Sequence, residues 1–324
     1  MAGSIQITYR LLITCFLFSI FSAQEKWNYS AEEMEQKKID GDTIRRLNNN
    51  VHFSKTNQLI LTDNALQYIN DDVLYLNGNT MMINGLDTLI CDSMIYWSTL
   101  DSGHAMGKVH FIESNNHRHL YTKGFNYWNT EGFRGSSFIT EGYTRVIEPD
   151  HIIIANKIIY DDNTQIMQLL GNASIESSTQ GIFGDKMIIQ YVDSLIKKIN
   201  ITSHANAYND LQVKIFNDGP YRSFRDKMSS KQMIAHFNDK DLIKLELSNM
   251  AKTLYYVIND NLLVGNNESS GDSILIDFQE SDISRIQVTG GAIGEFNPEG
   301  NNSKIDTTIL YGAEYIDYHV NDKK

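Results

Sequence analysis

Five segments spaced about 30 residues apart repeat one pattern, and nothing else in the chain limits its folding as much. They are LILTDNALQY (59–68), TLICDSMIYW (88–97), HLYTKGFNYW (119–128), IIIANKIIYD (152–161) and GIFGDKMIIQ (181–190). Aligned on Asp63, Asp92, Lys123, Asn156 and Asp185 (position zero), they follow one another at intervals of 29, 31, 33 and 29 residues. Position −2 holds Leu61, Ile90, Tyr121, Ile154 and Phe183, and position +2 holds Ala65, Met94, Phe125, Ile158 and Met187, all apolar or aromatic. Position +1 holds Asn64, Ser93, Gly124, Lys157 and Lys186, none of them apolar. This alternation after position zero predicts strands with one buried face.

Second strands are expected between these segments, over 73–83, 102–112, 165–175 and 195–207. Gly78, Gly107 and Gly171 interrupt them as bulges or bends, where glycine admits conformations that other residues avoid. Asp71-Asp72, Thr99-Leu100-Asp101 and Asp161-Asp162-Asn163 supply polar turns. Each repeat is therefore a pair of antiparallel strands that cannot bury its apolar face alone, so the units must stack into an elongated all-β structure. Seventeen tyrosines and only three prolines agree with that. Residues 208–230 break the period and read as a polar insertion containing Asp218-Gly219-Pro220. Strands resume at 232–237, 242–248, 253–258, 273–278 and 285–296, with 307–318 a candidate last strand. Glu32–Lys38 has a locally helical composition.

At the N-terminus, Arg10 precedes an apolar run from Leu11 to Phe21. That run is too short for a membrane-spanning helix, which needs about 20 residues, and has the length of a signal-peptide core followed by the small residues Ser22-Ala23. Residues 1–23 are thus expected to direct export. Cys15 would leave with them, and Cys91 would remain as a small buried apolar residue without a disulfide partner. The formal charge of −12 argues against nucleic-acid binding, which relies on Lys and Arg neutralising phosphates.

The repeated phrases resemble the OstA-like family, the organic-solvent-tolerance or LptA-type domains of lipopolysaccharide transport. The family's phrase is roughly G-N-V, a short gap, then L-x-x-D-x-A-x-Y. Here it reads Asn50-Val51-His52-Phe53 followed by Leu59 to Tyr68, and returns at Gly107-Lys108-Val109 and Gly171-Asn172-Ala173. The opening at 30–53 and the stretches Asn249–Tyr256 and Leu263–Asn267 resemble the long OstA-like proteins of the Bacteroidetes type. Asn49-Asn50 stands where the family has Gly-Asn, Lys123 and Asn156 stand where it has Asp, and 208–230 has no counterpart.

The resemblance implies an antiparallel β-jellyroll whose apolar interior cradles the acyl chains of lipopolysaccharide or lipid A. It further implies a periplasmic, outer-membrane-associated location. Its expected partners are other Lpt-type jellyrolls, an outer-membrane barrel, or a second copy joined head to tail through open strand edges. Organised this way, 1–23 is the signal peptide, 24–207 and 231–300 are OstA-like repeats separated by the 208–230 insertion, and 301–324 is a C-terminal tail. The −2 and +2 residues, from Leu61 and Ala65 to Phe183 and Met187, become the candidate lipid-binding lining. A plain packed core explains the same ladders.

No cofactor is expected. His117 and His119 share a strand face, but no nearby Cys or carboxylate completes a metal set. Asp63, Asp92 and Asp185 could form a carboxylate row of the kind a polysaccharide-cleaving β-helix needs. Lys123 and Asn156 interrupt it, so a turn or strand-end role is the simpler reading. P-loop, GxSxG and HExxH signatures are absent. Lys186, Lys197, Lys198, Arg222 and Arg225 read as solvated surface charge. A non-catalytic lipid carrier, an exported β-helix enzyme and a surface β-array or adhesin are the three competing functions.

Overall fold

The computed structural model describes residues 27–319, apart from 116, 130–135, 194, 240, 260, 280–281 and 300–307; the expected signal segment, with Cys15, lies outside the described residues. The first strands are β1 (Asn28–Ser30), β2 (Glu33–Ile39), β3 (Asp42–Lys55), β4 (Gln58–Tyr68), β5 (Val73–Asn84), β6 (Asp87–Trp97), β7 (Ser102–Glu113) and β8 (Arg118–Asn129). Short strands β9 (Ser136–Glu141), β10 (Thr144–Ile147), β11 (Ile152–Ala155) and β12 (Lys157–Asp161) follow. The rest are β13 (Ile166–Glu176), β14 (Gln180–Val192), β15 (Leu195–Lys214), β16 (Tyr221–Asn238), β17 (Asp241–Asn259), β18 (Leu262–Gln279), β19 (Asp282–Pro298) and β20 (Ile309–His319). Among the described residues there is no helix. The all-β, antiparallel jellyroll of repeated two-stranded units is the observed architecture.

From β3 to β9 and again from β12 to β20 the sheet is a meander in which each strand pairs with the next. β9 and β10 share one strand position beside β8, and β11 and β12 share the next, beside β13. Glu33–Ile39 pairs antiparallel with Asp42–Asn48 and is a strand, not a helix. The long-range ladder with β3 overrides its local propensity, as tertiary context routinely does. Most of the expected polar insertion is also strand: 208–214 extend β15 and 221–230 begin β16, leaving 215–220 in the turn.

Position zero marks a corner. Alternate strands carry left-handed residues at mid-length: Asn49-Asn50, Gly78-Asn79, Gly107, Gly171-Asn172, Ser203-His204, Asn249-Met250 and Gly290-Gly291, with Gly142 between β9 and β10. The pairing register shifts at the same places. A bulge of this type bends the strand and sharpens its twist. The position-zero side chain on the neighbouring strand braces the bend. Asp63 accepts from Asn79 Nδ2 at 2.8 Å, Asp92 accepts from the Lys108 backbone N–H at 3.1 Å, and Asp185 pairs with His204 at 2.8 Å. Below the corners, the Thr62 hydroxyl meets Thr80 at 3.0 Å and lies 3.1 Å from the carbonyl of Gly78, which partners groups that the bulge removes from the ladder. Asp63 and Asp92 therefore sit at mid-strand corners rather than at strand ends.

The bends fold the sheet along one line, so each strand gives one half to each of two facing layers. Contacts across the interior show this directly. Phe111, before the β8 turn, packs on Phe125 beyond the corner with ring centroids 5.5 Å apart, and the Tyr127 hydroxyl reaches Met82 Sδ at 3.3 Å. A single apolar cluster runs from Leu47 to Ala292. At the N-terminal end Trp27 closes the interior edge-on against Phe53 and Tyr96.

Candidate functional site: the interior row

One inward row crosses the sheet from β3 to β20, almost entirely by direct cross-strand pairing. It runs Leu47, Ala65, Leu76, Met94, Ala105, Phe125 and Thr140 through β3 to β9. The Thr140 hydroxyl accepts the Ile158 N–H at 2.8 Å, and the row continues through Ile158, Leu169, Met187, Ile201, Met233, Leu247, Ile274, Val288 and Ile316. Sixteen strand positions about 4.8 Å apart make this strip roughly 70 Å long. All five +2 residues belong to it and are 0–4% exposed.

The −2 residues do not join them. Leu61, Ile90, Ile154 and Phe183 are half-buried and Tyr121 is 41% exposed, all on the outer face. The trough expected to be shared by both columns is corrected here. Positions zero and +1 both lie outside across the corner, so counting by two through the bend lands on the wrong side. Inward neighbours before the corner are at position −3 instead: Ile60, Leu89, Leu120 and Ile153, each 0–5% exposed. Their apolar identity is as regular in sequence as that of position −2, and it was the signal to find them. The −2 residues form an outer ladder, Leu61–Met81–Ile90–His110–Tyr121.

On that outer ladder His110 stacks on Tyr121 at 4.3 Å and bonds His119 at 3.1 Å. Burial, and then His119, hold the His110 pKa below its ordinary value. His119 thus pairs across strands rather than with His117. Among the described residues no three His, Cys, Asp or Glu side chains converge as a metal set. Cys91 is buried under the first corners, and burial pushes its thiol up to about 12. Of the basic residues singled out, Arg225 is bound by Asp210 at 2.6 Å and Lys197 lies 3.8 Å from Asp239.

Among the described residues one carboxyl group lies inside. Asp226 is 4% exposed, and burial pushes its carboxyl up to about 6 although Tyr256 N–H donates to it at 2.9 Å and Asn209 Nδ2 at 3.3 Å. A raised carboxyl pKa means that the folded chain holds the proton at pH values where the unfolded chain has released it. This residue's contribution to stability therefore rises as pH falls from 7 through 6 toward 4. Between pH 7 and pH 4 urea titrations of Asp226→Asn, subtracted from those of the parent, are expected to show a difference of about 2–3 kcal/mol. A difference curve flat in pH refutes this.

No family model matches the chain, and no curated protein matches it in sequence. A solved structure similar to it is LptH from Pseudomonas aeruginosa, described as the LptA-homologous periplasmic component of the conserved lipopolysaccharide transport device. Identity is 12% and the TM-score 0.31, over 50% of this chain and 92% of LptH.

Proposed function

We propose that this protein is a periplasmic, non-catalytic lipid-binding component of lipopolysaccharide transport, of the long OstA-like type, that shelters acyl chains between its two layers. The observation that carries the reading is the apolar row that crosses every strand position from β3 to β20, with Thr140 its one polar member. Acyl chains entering between the layers leave water at about 0.8 kcal/mol per methylene, so a strip this long can hold several side by side. Entry parts the two layers on the side away from the corners. The repeated OstA-like phrases support the same assignment.

Partners join at the ends. Among the described residues β20 pairs only with β19, and its Leu310 and Tyr315 are exposed. An unpaired strand edge is a template for another strand, from a second jellyroll, an outer-membrane barrel or a second copy.

Full closure of the row also suits a β-array that holds no ligand, and one experiment separates the two. A photo-reactive residue at Met94 or Phe125 is expected to cross-link lipopolysaccharide or a related glycolipid in cells, with none captured from Asn64 or Lys157. Equal capture at both sets, or none at Met94 and Phe125, leaves the row as core only.

A further inference from the structure

The second half of the sheet carries a feature that the interior row does not use. β15 and β16 run for 20 and 18 residues, against 11 for β4 and β6. Pairing between β16 and β17 ends at Lys227 and Leu254, although β16 extends back to Tyr221 and β17 on to Asn259. Where they part, the β15 end lies against the start of β18: Lys214 N–H donates to the Asn261 carbonyl at 3.0 Å. Within the wedge the Asp226 carboxylate takes the Tyr256 N–H that a ladder carbonyl would otherwise accept. The divergence opens a cleft of about 540 Å³. That lies within the roughly 300–1,000 Å³ typical of ligand sites.

We propose that this cleft binds a neutral saccharide. Phe224 and Tyr256 pack against each other with centroids 4.9 Å apart and form an aromatic wall. Gln212, Ser223, Arg225 and Lys227 line the cleft with planar and hydroxylic hydrogen-bonding groups. Gln212 Nε2 donates to Ser223 Oγ at 2.7 Å, which fixes both side chains. Arg225 is held in one plane by Asp210, through Nε at 2.6 Å and Nη2 at 2.8 Å, and by the Tyr208 ring 4.0 Å below. Its Nη1 hydrogens remain for a ligand. Sugar hydroxyls donate and accept at once, so they match a set that offers amide, guanidinium, ammonium and hydroxyl groups together, while the C–H face of a pyranose lies on an aromatic ring.

Charge selects against an anion. Asp210 offsets Arg225, and Glu299, Asp226 and Glu268 all act on the Tyr256 hydroxyl, leaving Lys227 outnumbered. The whole chain is at −12.

Saturation-transfer NMR on the full chain, with maltotriose, cellotriose, chitotriose and glucose 6-phosphate as probes, tests the assignment. At least one neutral trisaccharide is expected to receive saturation and to outcompete the phosphorylated sugar. Gln212→Ala with Lys227→Ala, both exposed positions, should weaken that binding at least tenfold while the melting temperature stays put. Transfer to none of the three, transfer unchanged in the double variant, or stronger binding of glucose 6-phosphate each overturns it. These probes carry no acyl chain, so the outcome is independent of what the interior holds.

Discussion

Gly107→Ala is expected to destabilise the protein by about 3 kcal/mol, and Gly142→Ala by only about 1 kcal/mol. Both glycines occupy left-handed corners, at φ +98° and +79°. An alanine pays a conformational penalty of roughly 1–2 kcal/mol at either site. The corners differ in what stands opposite. A Cβ on Gly107 would lie 2.3 Å from Asp92 Oδ2 and 2.6 Å from its Cβ, whereas one on Gly142 would meet Lys123 no closer than 3.7 Å. Asp92 must then give up its bond to the Lys108 N–H or shift its backbone. Gly290 and Gly291 repeat the comparison within one corner, because a Cβ on Gly290 would lie 2.4 Å from Asp272 while Gly291 has open space. Chemical denaturation of the four single variants measures the differences. Equal losses at Gly107 and Gly142 would mean that the carboxylate brace contributes nothing.

Ile158→Asp should unfold the molecule, while Ile154→Asp should change stability by less than about 1 kcal/mol. Ile158 is 0% exposed in the interior row, and an isolated charge there has no partner or water. Four residues earlier, Ile154 lies on the outer face directly opposite Arg145 on β10 and Ser174 on β13. An aspartate there gains a cross-strand cation. Circular dichroism and thermal melts of the two purified variants decide it. Two variants that both unfold would place Ile154 inside after all.

The pair also shows how far the sequence could be read. Strand positions, the two-strand unit and the buried status of Ala65, Met94, Phe125, Ile158 and Met187 followed from period-two alternation, since each lies on one uninterrupted side of a corner. The side taken by Leu61, Ile90, Tyr121, Ile154 and Phe183 did not follow, because their strands turn a corner at position zero, where zero and +1 both lie outside and the parity reverses without any change in apolar content. Glycine flagged the bend at Gly78, Gly107 and Gly171, but the same bend at Asn49-Asn50 and Ser203-His204 uses residues that adopt left-handed backbone and carry no such mark. In the 208–230 stretch the strand conformation was hidden for another reason. Its polar residues Gln212, Ser223, Arg225 and Lys227 face outward on strands, and polarity on one face is a strand property as much as a loop property. The cleft there arises where two paired strands part, a relation between distant segments that local pattern does not encode.

The meander has a consequence for reach. Because each strand from β4 to β7 and from β14 to β19 is paired along its ladder with its sequence neighbours, removing or adding one two-strand unit there leaves the remaining ladders intact. Each unit changes the length by two strand spacings, about 10 Å. The length of the sheet can therefore change only in discrete steps, whose graduations are the corners. A lineage can lengthen or shorten it by duplicating or losing a unit, without redesigning the core.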